Sequence, residues 1–206
     1  MWIETAGKKL KAYRDACETF ANPSPISNRF SSLPLIISSC VKNIDEKICI
    51  LDFGGGVGTH YELLKQTIPN YSLIDYHIIE TKETCVEARS LFNKNENITF
   101  HDGFPNEKLN PTVCYTNSVL QYIEDWLGVI KNMIEMNPEY IVLDDLPAGD
   151  NVEFITIQNY YSSKMPHRFF NLDKSIRDIE SLGYQLCYKT RYFGEVLGNF
   201  CPWPMS

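Results

Sequence analysis

The chain has no basic stripe, no apolar run of membrane length and no paired cysteines, and each absence removes a class of function. Its 206 residues carry 19 Lys and Arg against 26 Asp and Glu, a net charge of -7. Nothing in that balance could neutralise a nucleic-acid backbone, so RNA and DNA are not expected partners. No stretch approaches the ~18 apolar residues of a membrane span. The first residues, with Glu4 and Asp15 among the lysines, lack the apolar core of a signal peptide. The seven cysteines are scattered, without a C-x-x-C pair or metal-ligand spacing, so no metal is expected. An odd, unpatterned set fits a reducing cytosol, and the expected location is cytoplasmic. With 44% apolar and 22% charged residues, the length suits one α/β domain and is short for two.

What is present is concentrated at Asp52-Phe53-Gly54-Gly55-Gly56-Val57-Gly58, directly after the apolar run Ile48–Leu51. A turn that sharp needs residues without a Cβ, and the amides opening the next helix face whatever polar ligand lies over the strand ends. Three ligands compete for the pattern. The dinucleotide fingerprint G-x-G-x-x-G/A, started at Gly54 and Gly56, puts its last position on Thr59 and fails. A P-loop needs Gly-Lys where the chain has Thr59-His60. An S-adenosylmethionine turn, with an acid ending the first strand and three alternating glycines, is met at Asp52, Gly54, Gly56 and Gly58. A ligand-free turn is disfavoured, because four glycines in five residues lose backbone entropy without a packing gain.

Residues 1–45 read as an N-terminal helical cap, with an amphipathic helix from Trp2 to Phe20, a Pro/Ser/Asn break at Asn22–Asn28 and a second apolar segment at Leu33–Val41. A packing extension reads equally well. From residue 46 to 206 strands and helices alternate, the signature of a parallel sheet covered on both faces. Strands are expected at Ile48–Leu51, Tyr71–Ile79, Ile98–His101, Val113–Thr116, Tyr140–Leu143, Tyr184–Arg191 and Glu195–Phe200. Helices are expected at Tyr61–Ile68, Thr81–Asn95, Leu120–Ile134 (apolar every three or four residues) and Leu172–Leu182. Asp144 to about Phe170 reads as a loop. The fold class is a three-layer α/β sandwich around a mostly parallel, doubly wound, seven-stranded sheet.

These residues resemble the class I S-adenosylmethionine-dependent methyltransferases over about residues 45–200. Three phrases are similar to a group of methyltransferases associated with surface-polysaccharide biosynthesis: Leu51-Asp52-Phe53-Gly54-Gly55, Asn117-Ser118-Val119-Leu120-Gln121-Tyr122, and Gln158 through Phe170. The chain departs from that group in Gly56-Val57-Gly58-Thr59-His60 and in His167, where an aromatic residue is frequent. The resemblance implies S-adenosyl-L-methionine as cofactor. Asp52 would then meet the ammonium of its methionine tail, with Gly54, Gly56 and Gly58 giving close approach and helix entry. Glu80, ending the second strand, would accept from the ribose hydroxyls, or merely face water as a strand-end acid. Asp102 would accept from the adenine amine, or serve the Asp102-Gly103 turn. Asn117 would lie beside the sulfonium, and Thr59 is a candidate helix cap.

Methyl transfer is an in-line displacement at an activated carbon, so alignment carries much of the catalysis; an alcohol nucleophile also needs a base. The segment Gln158–Arg168 concentrates the candidates. His167 is the expected base, with His60 as a rival. Lys164 and Arg168 would clamp a phosphate or carboxylate, Tyr160 and Tyr161 would stack on a sugar face, and Asp144 would bind acceptor hydroxyls. His101 is expected at the adenine end and His77 in the core. The expected reaction is O-methylation of a small anionic sugar or glycan precursor, such as a nucleotide sugar or phosphorylated sugar. A nicotinamide-dependent oxidoreductase and a non-catalytic cofactor-binding partner in glycan assembly are the alternatives.

Overall fold

The computed structural model describes residues 2–19, 32–40, 46–93, 96–160 and 163–191. Its centre is a parallel sheet built from β1 (Ile48–Phe53), β2 (Ile74–Ile79), β3 (Ile98–His101), β4 (Val113–Asn117) and β5 (Tyr140–Asp144), in the order β3-β2-β1-β4-β5. The order reverses between β1 and β4, the switch point where open α/β sheets hold ligands beyond the strand carboxyl ends. Alternation along the strands divides two cores. Ile48, Ile50, Ile74, Tyr76, Ile78, Val113 and Tyr115 face one side, and Leu51, Ile79 and Cys114 face the other.

The first core is covered by α3 (Thr59–Thr67) and α4 (Lys82–Arg89), over which lie α1 (Trp2–Thr19) and α2 (Ser32–Cys40). Leu10, Leu33 and Ile37 are fully buried there, so the two N-terminal helices complete this core. The second core is covered by α5 (Trp126–Glu135) and α6 (Leu172–Glu180), with Ile130, Met133 and Ile179 inside. Among the described residues, no helix is long and apolar enough to cross a membrane.

Several expected elements differ. The helix anticipated over Leu120–Ile134 is a 3-10 turn, Leu120–Tyr122, followed by α5. Asp125 breaks it, because its carboxylate accepts from Gly128 N at 2.9 Å and caps α5. Apolar spacing persisted across the break because Leu120 and Ile130 serve the same core. The helix from Thr81 ends at Arg89, and Phe92 beyond it packs beneath the glycine turn. Thr59 does not cap α3: Gly58, at φ 87°, holds that position with no side-chain bond.

The largest difference lies after β5. The stretch read as a loop is a second unit, an antiparallel pair with a short parallel addition: β6 (Ala148–Gly149), β7 (Phe154–Tyr160) and β8 (Ser163–Asn171), in the order β6-β8-β7, with β8 antiparallel to β7 and parallel to β6. Pro166 argues against a central strand, but β6 pairs only with Phe170 and Asn171, so at Pro166 β8 is paired on one side alone, with Ile157 of β7, the edge situation in which proline is tolerated. The main sheet has five strands among the described residues, because Tyr184–Arg191, expected as a sixth, carries no strand. Tyr184 instead donates its hydroxyl to Pro138 O at 2.7 Å. The expected strand Glu195–Phe200 lies outside the described residues, as does Tyr161.

Candidate active site

The carboxyl ends of β1, β2, β4 and β5 bring Asp52, Glu80, Asn117 and Asp144 to one edge of the sheet. Asp52, 1% exposed, lies beneath the glycine turn. One of its oxygens accepts from the Tyr76 hydroxyl at 2.7 Å; the other, Oδ1, has no hydrogen-bond partner. Such a group is costly to bury unless a cation or donor completes it. His60 Nδ1 lies 3.6 Å from Asp52 Oδ2, and its ring meets Tyr115 edge-on. Burial and the Asp52 charge push the Tyr76 hydroxyl well above its ordinary value, so it stays a donor.

The glycines serve different neighbours. A Cβ on Gly54 would lie 2.4 Å from Val119, one on Gly55 2.4 Å from Asp52 Oδ2, and one on Gly58 2.8 Å from Phe92. Gly55, to which the sequence pattern gave no role, is thus required by the acid it covers. Gly56, at φ 60°, is the least crowded of the four, with no atom nearer than 3.5 Å to its Cβ position. Glu80 holds the turn from the side, accepting from Gly56 N at 3.1 Å and from Thr81 N at 2.9 Å. Burial, with Asp52 adding to it, raises its pKa. Asp102 is exposed just past β3, and His101 is paired to His77 at 2.9 Å (Nε2 to Nδ1).

Asn117 ends β4 beside Asp144 of β5. The next residues on each strand, Ser118 (φ 56°) and Asp145 (φ 50°), are left-handed without being glycine. Backbone strain of this kind collects at functional sites. Asp144 is committed to the structure: Oδ2 accepts from Tyr115 at 2.9 Å and from the Ser32 hydroxyl, and Oδ1 from Asp145 N at 3.0 Å. It ties the N-terminal segment to the sheet.

The antiparallel unit supplies the remaining wall. His167, Met165 and Phe169 share one face of β8 with Gln158 and Phe154 of β7, and that face meets the 3-10 turn. Tyr122 lies edge-on to His167, ring centroids 5.3 Å apart, and donates to Gln158 Oε1 at 2.9 Å. His167 is buried and its Nδ1 is unpartnered. Burial lowers its pKa, against a smaller opposite pull from Asp145. Gln121, 4% exposed, donates to Ser118 Oγ at 3.1 Å and leaves Oε1 unpartnered. Sequence reasoning quoted Gln121 without a role; its signal is a carboxamide in an otherwise apolar turn.

Arg168 and Lys164 point the other way, since successive strand residues alternate faces. Arg168 is ion-paired with Glu153 and donates to Glu124 O at 3.2 Å. Despite burial, hydrogen bonds from Lys174 and Arg168 hold Glu153 below the usual carboxylate range. The proposed base and the proposed anion clamp therefore do not converge. Lys164 is exposed, and for Tyr160 only the backbone pairing with Ser163 is described. Among the described residues no cluster of three or more His, Cys, Asp or Glu could hold a metal.

The sequence model of the methyltransferase domain family matches residues 26–185. The chain belongs to that family. The methyltransferase fold, with its mostly parallel central sheet between helices, recurs in solved structures of low identity. A sugar N-methyltransferase from Streptoalloteichus sp. is 10% identical, aligned over 81% of this chain and 83% of its own, with a TM-score of 0.55. An S-adenosylmethionine-dependent methyltransferase from Mesorhizobium loti is 9% identical, over 77% of this chain and 84% of its own, with a TM-score of 0.50. No curated protein matches the sequence. In this methyltransferase the switch-point crevice is the place for a cofactor, and its residues fit a cationic one. The orphaned Asp52 oxygen calls for a donor, Gly56 is the least crowded of the turn glycines, and the rim is acidic.

Proposed function

We propose that the chain is an S-adenosyl-L-methionine-dependent methyltransferase that O-methylates a small carbohydrate-like acceptor. The observation that carries the cofactor is Asp52, a buried carboxylate with one oxygen unspent beneath the glycine turn. A carboxylate there attracts an ammonium and repels a pyrophosphate, which disfavours the nicotinamide alternative. When bound, the cofactor supplies a methyl group made electrophilic by the adjacent sulfonium. Asp52 holds the ammonium, Glu80 shares its carboxylate between the turn amides and the ribose, and Asn117 and Asp102 flank the crevice.

The acceptor lies between the 3-10 turn and the inner face of β7–β8. His167 is the base: burial keeps its imidazole neutral near pH 7, ready to take the hydroxyl proton at Nδ1. Gln121 Oε1 orients a second hydroxyl, and Tyr122 and Phe169 offer ring faces of the kind that suit a sugar. An anionic acceptor rests on Lys164 and on the one uncommitted Arg168 Nε. A link to surface-polysaccharide synthesis in the cytoplasm is what the sequence resemblance suggests.

The experiment is cofactor consumption, with product mass, across nucleotide sugars, phosphorylated sugars and amino sugars. A methylated hydroxyl product supports the reading. Methylation confined to amino sugars would replace O-transfer with N-transfer, and cofactor binding without turnover on any acceptor would leave the non-catalytic alternative standing.

A further inference from the structure

The open side of the glycine turn is not empty of protein. At the position a Gly56 Cβ would take, the nearest atoms belong to the six-membered ring of Trp2, Cη2 at 3.5 Å and Cζ2 at 3.8 Å. The other turn glycines met by neighbours within contact distance, Gly54, Gly55 and Gly58, abut Val119, Asp52, Ile78, Phe92 and Ile98 from inside the domain. Trp2 comes from outside it, on the first turn of α1.

That helix is anchored to the far end of the same turn. Arg14 Nε pairs with Glu62 Oε2 at 2.7 Å, its NH1 donates to Leu91 O at 2.8 Å, and its guanidinium stands 4.6 Å from the Phe92 ring. Phe92 is the residue seated against Gly58. A closed mechanical path therefore runs from Gly58 through Phe92 and Arg14, along α1 to Trp2 and back to Gly56. Leu10, 1% exposed, fixes the middle of it.

We propose that Trp2 is a wall of the cofactor site, its indole lying against the adenosyl part of the bound cofactor. The inference rests on the cofactor reading above. Gly56 is the residue whose amide is held by Glu80, the proposed ribose acceptor, so the ring beside it borders the nucleoside rather than the acceptor pocket. An indole offers the best face among side chains both for stacking and for a cation. Sequence periodicity could assign Trp2 only to an amphipathic helix.

The test is binding of the demethylated cofactor, S-adenosylhomocysteine, to the full chain by calorimetry, for the wild type, Trp2→Ala and Trp2→Phe. The expected result is an affinity about tenfold weaker in Trp2→Ala, with Trp2→Phe between. In parallel, the tryptophan emission change seen when the wild type binds should disappear in Trp2→Phe, which keeps an aromatic ring and the fold. Wild-type affinity in Trp2→Ala, or an undiminished emission change in Trp2→Phe, overturns the proposal while the cofactor reading stands. Failure of the wild type to bind overturns both.

Discussion

Asp52 separates the cofactor reading from a merely glycine-rich turn. The neutral isostere in Asp52→Asn keeps the side-chain volume under Gly55 and an oxygen for the Tyr76 hydroxyl. It removes the charge that the ammonium needs. A hydrogen bond to a charged group contributes about 1.5–3 kcal/mol, so calorimetry should show cofactor affinity falling about 10- to 100-fold. Unchanged affinity would remove Asp52 from the site. His167 makes a second prediction. Its pKa lies below the ordinary 6.5 because burial penalises the imidazolium, so the acid limb of kcat/KM should fall below that value. The unfolded chain binds the proton more readily, so His167 contributes stability in full above about pH 6.5, lost as pH falls toward its folded value. His101, lowered by burial and then by His77, acts in the same direction. His167→Ala should cut kcat by about 10²- to 10⁴-fold if it is the base, and a variant retaining full kcat would dismiss that role. Residue by residue, the strand-end positions of Asp52 and Glu80 were legible because apolar runs and glycines mark them. Gln121 and Trp2 were not, since a buried orphan oxygen and a contact across 54 residues of chain leave no local pattern.

At the scale of elements, the parallel strands were legible and the antiparallel unit was not. Ile48–Leu51 and Val113–Tyr115 announce themselves as short apolar runs followed directly by a polar residue, the mark of strands buried on both faces. β7 and β8 lack the Asn-Gly or Asp-Gly turn that signals a hairpin, and Pro166 masks the second strand. Recovering them matters to function, because their pairing decides which side chains share a face. It sets His167 toward Tyr122 and turns Arg168 toward Glu153. The N-terminal helices likewise read as a cap or a packing extension, and the structure gives them both a core and two ties to the strand ends, through Trp2 and Ser32. Arg14→Ala tests how firmly α1 is held, through its pair with Glu62. Removing one partner of a buried pair typically costs ~3–5 kcal/mol. Here Lys65 stays 3.6 Å from Glu62 and Arg14 is partly exposed, so the loss should fall below that range. Denaturant unfolding should register it as a lower midpoint with an unchanged slope. An unshifted midpoint would mean that the Arg14 contacts add nothing to stability and that α1 is held by its buried apolar residues, Leu10 among them.

For the whole molecule, the strand order β3-β2-β1-β4-β5 follows from right-handed crossovers that wind one way from β1 and then the other. That winding is why residues as distant as Asp52, Glu80, Asn117 and Asp145 end on one edge. The sequence could announce each as a strand-end polar residue, but only the winding makes them neighbours. An acidic edge of this kind is self-repelling in the free protein: Asp52 adds to the upward shift of Glu80, and Asp52 and Asp144 both act on Tyr115. A cofactor carrying an ammonium and a sulfonium relieves that repulsion as it binds. Ligand at a hundredfold excess over Kd stabilises the native state by about 2.7 kcal/mol. A domain of this size gains about 2–4 °C per kcal/mol, so S-adenosylmethionine should raise Tm by about 5–10 °C under those conditions. NAD, which would bring a pyrophosphate to the same carboxylates, should leave Tm where it is. Because the relief is electrostatic, the shift from S-adenosylmethionine should shrink as salt is raised at fixed excess. A shift with NAD alone would return the glycine turn to the dinucleotide enzymes, whatever the strand order.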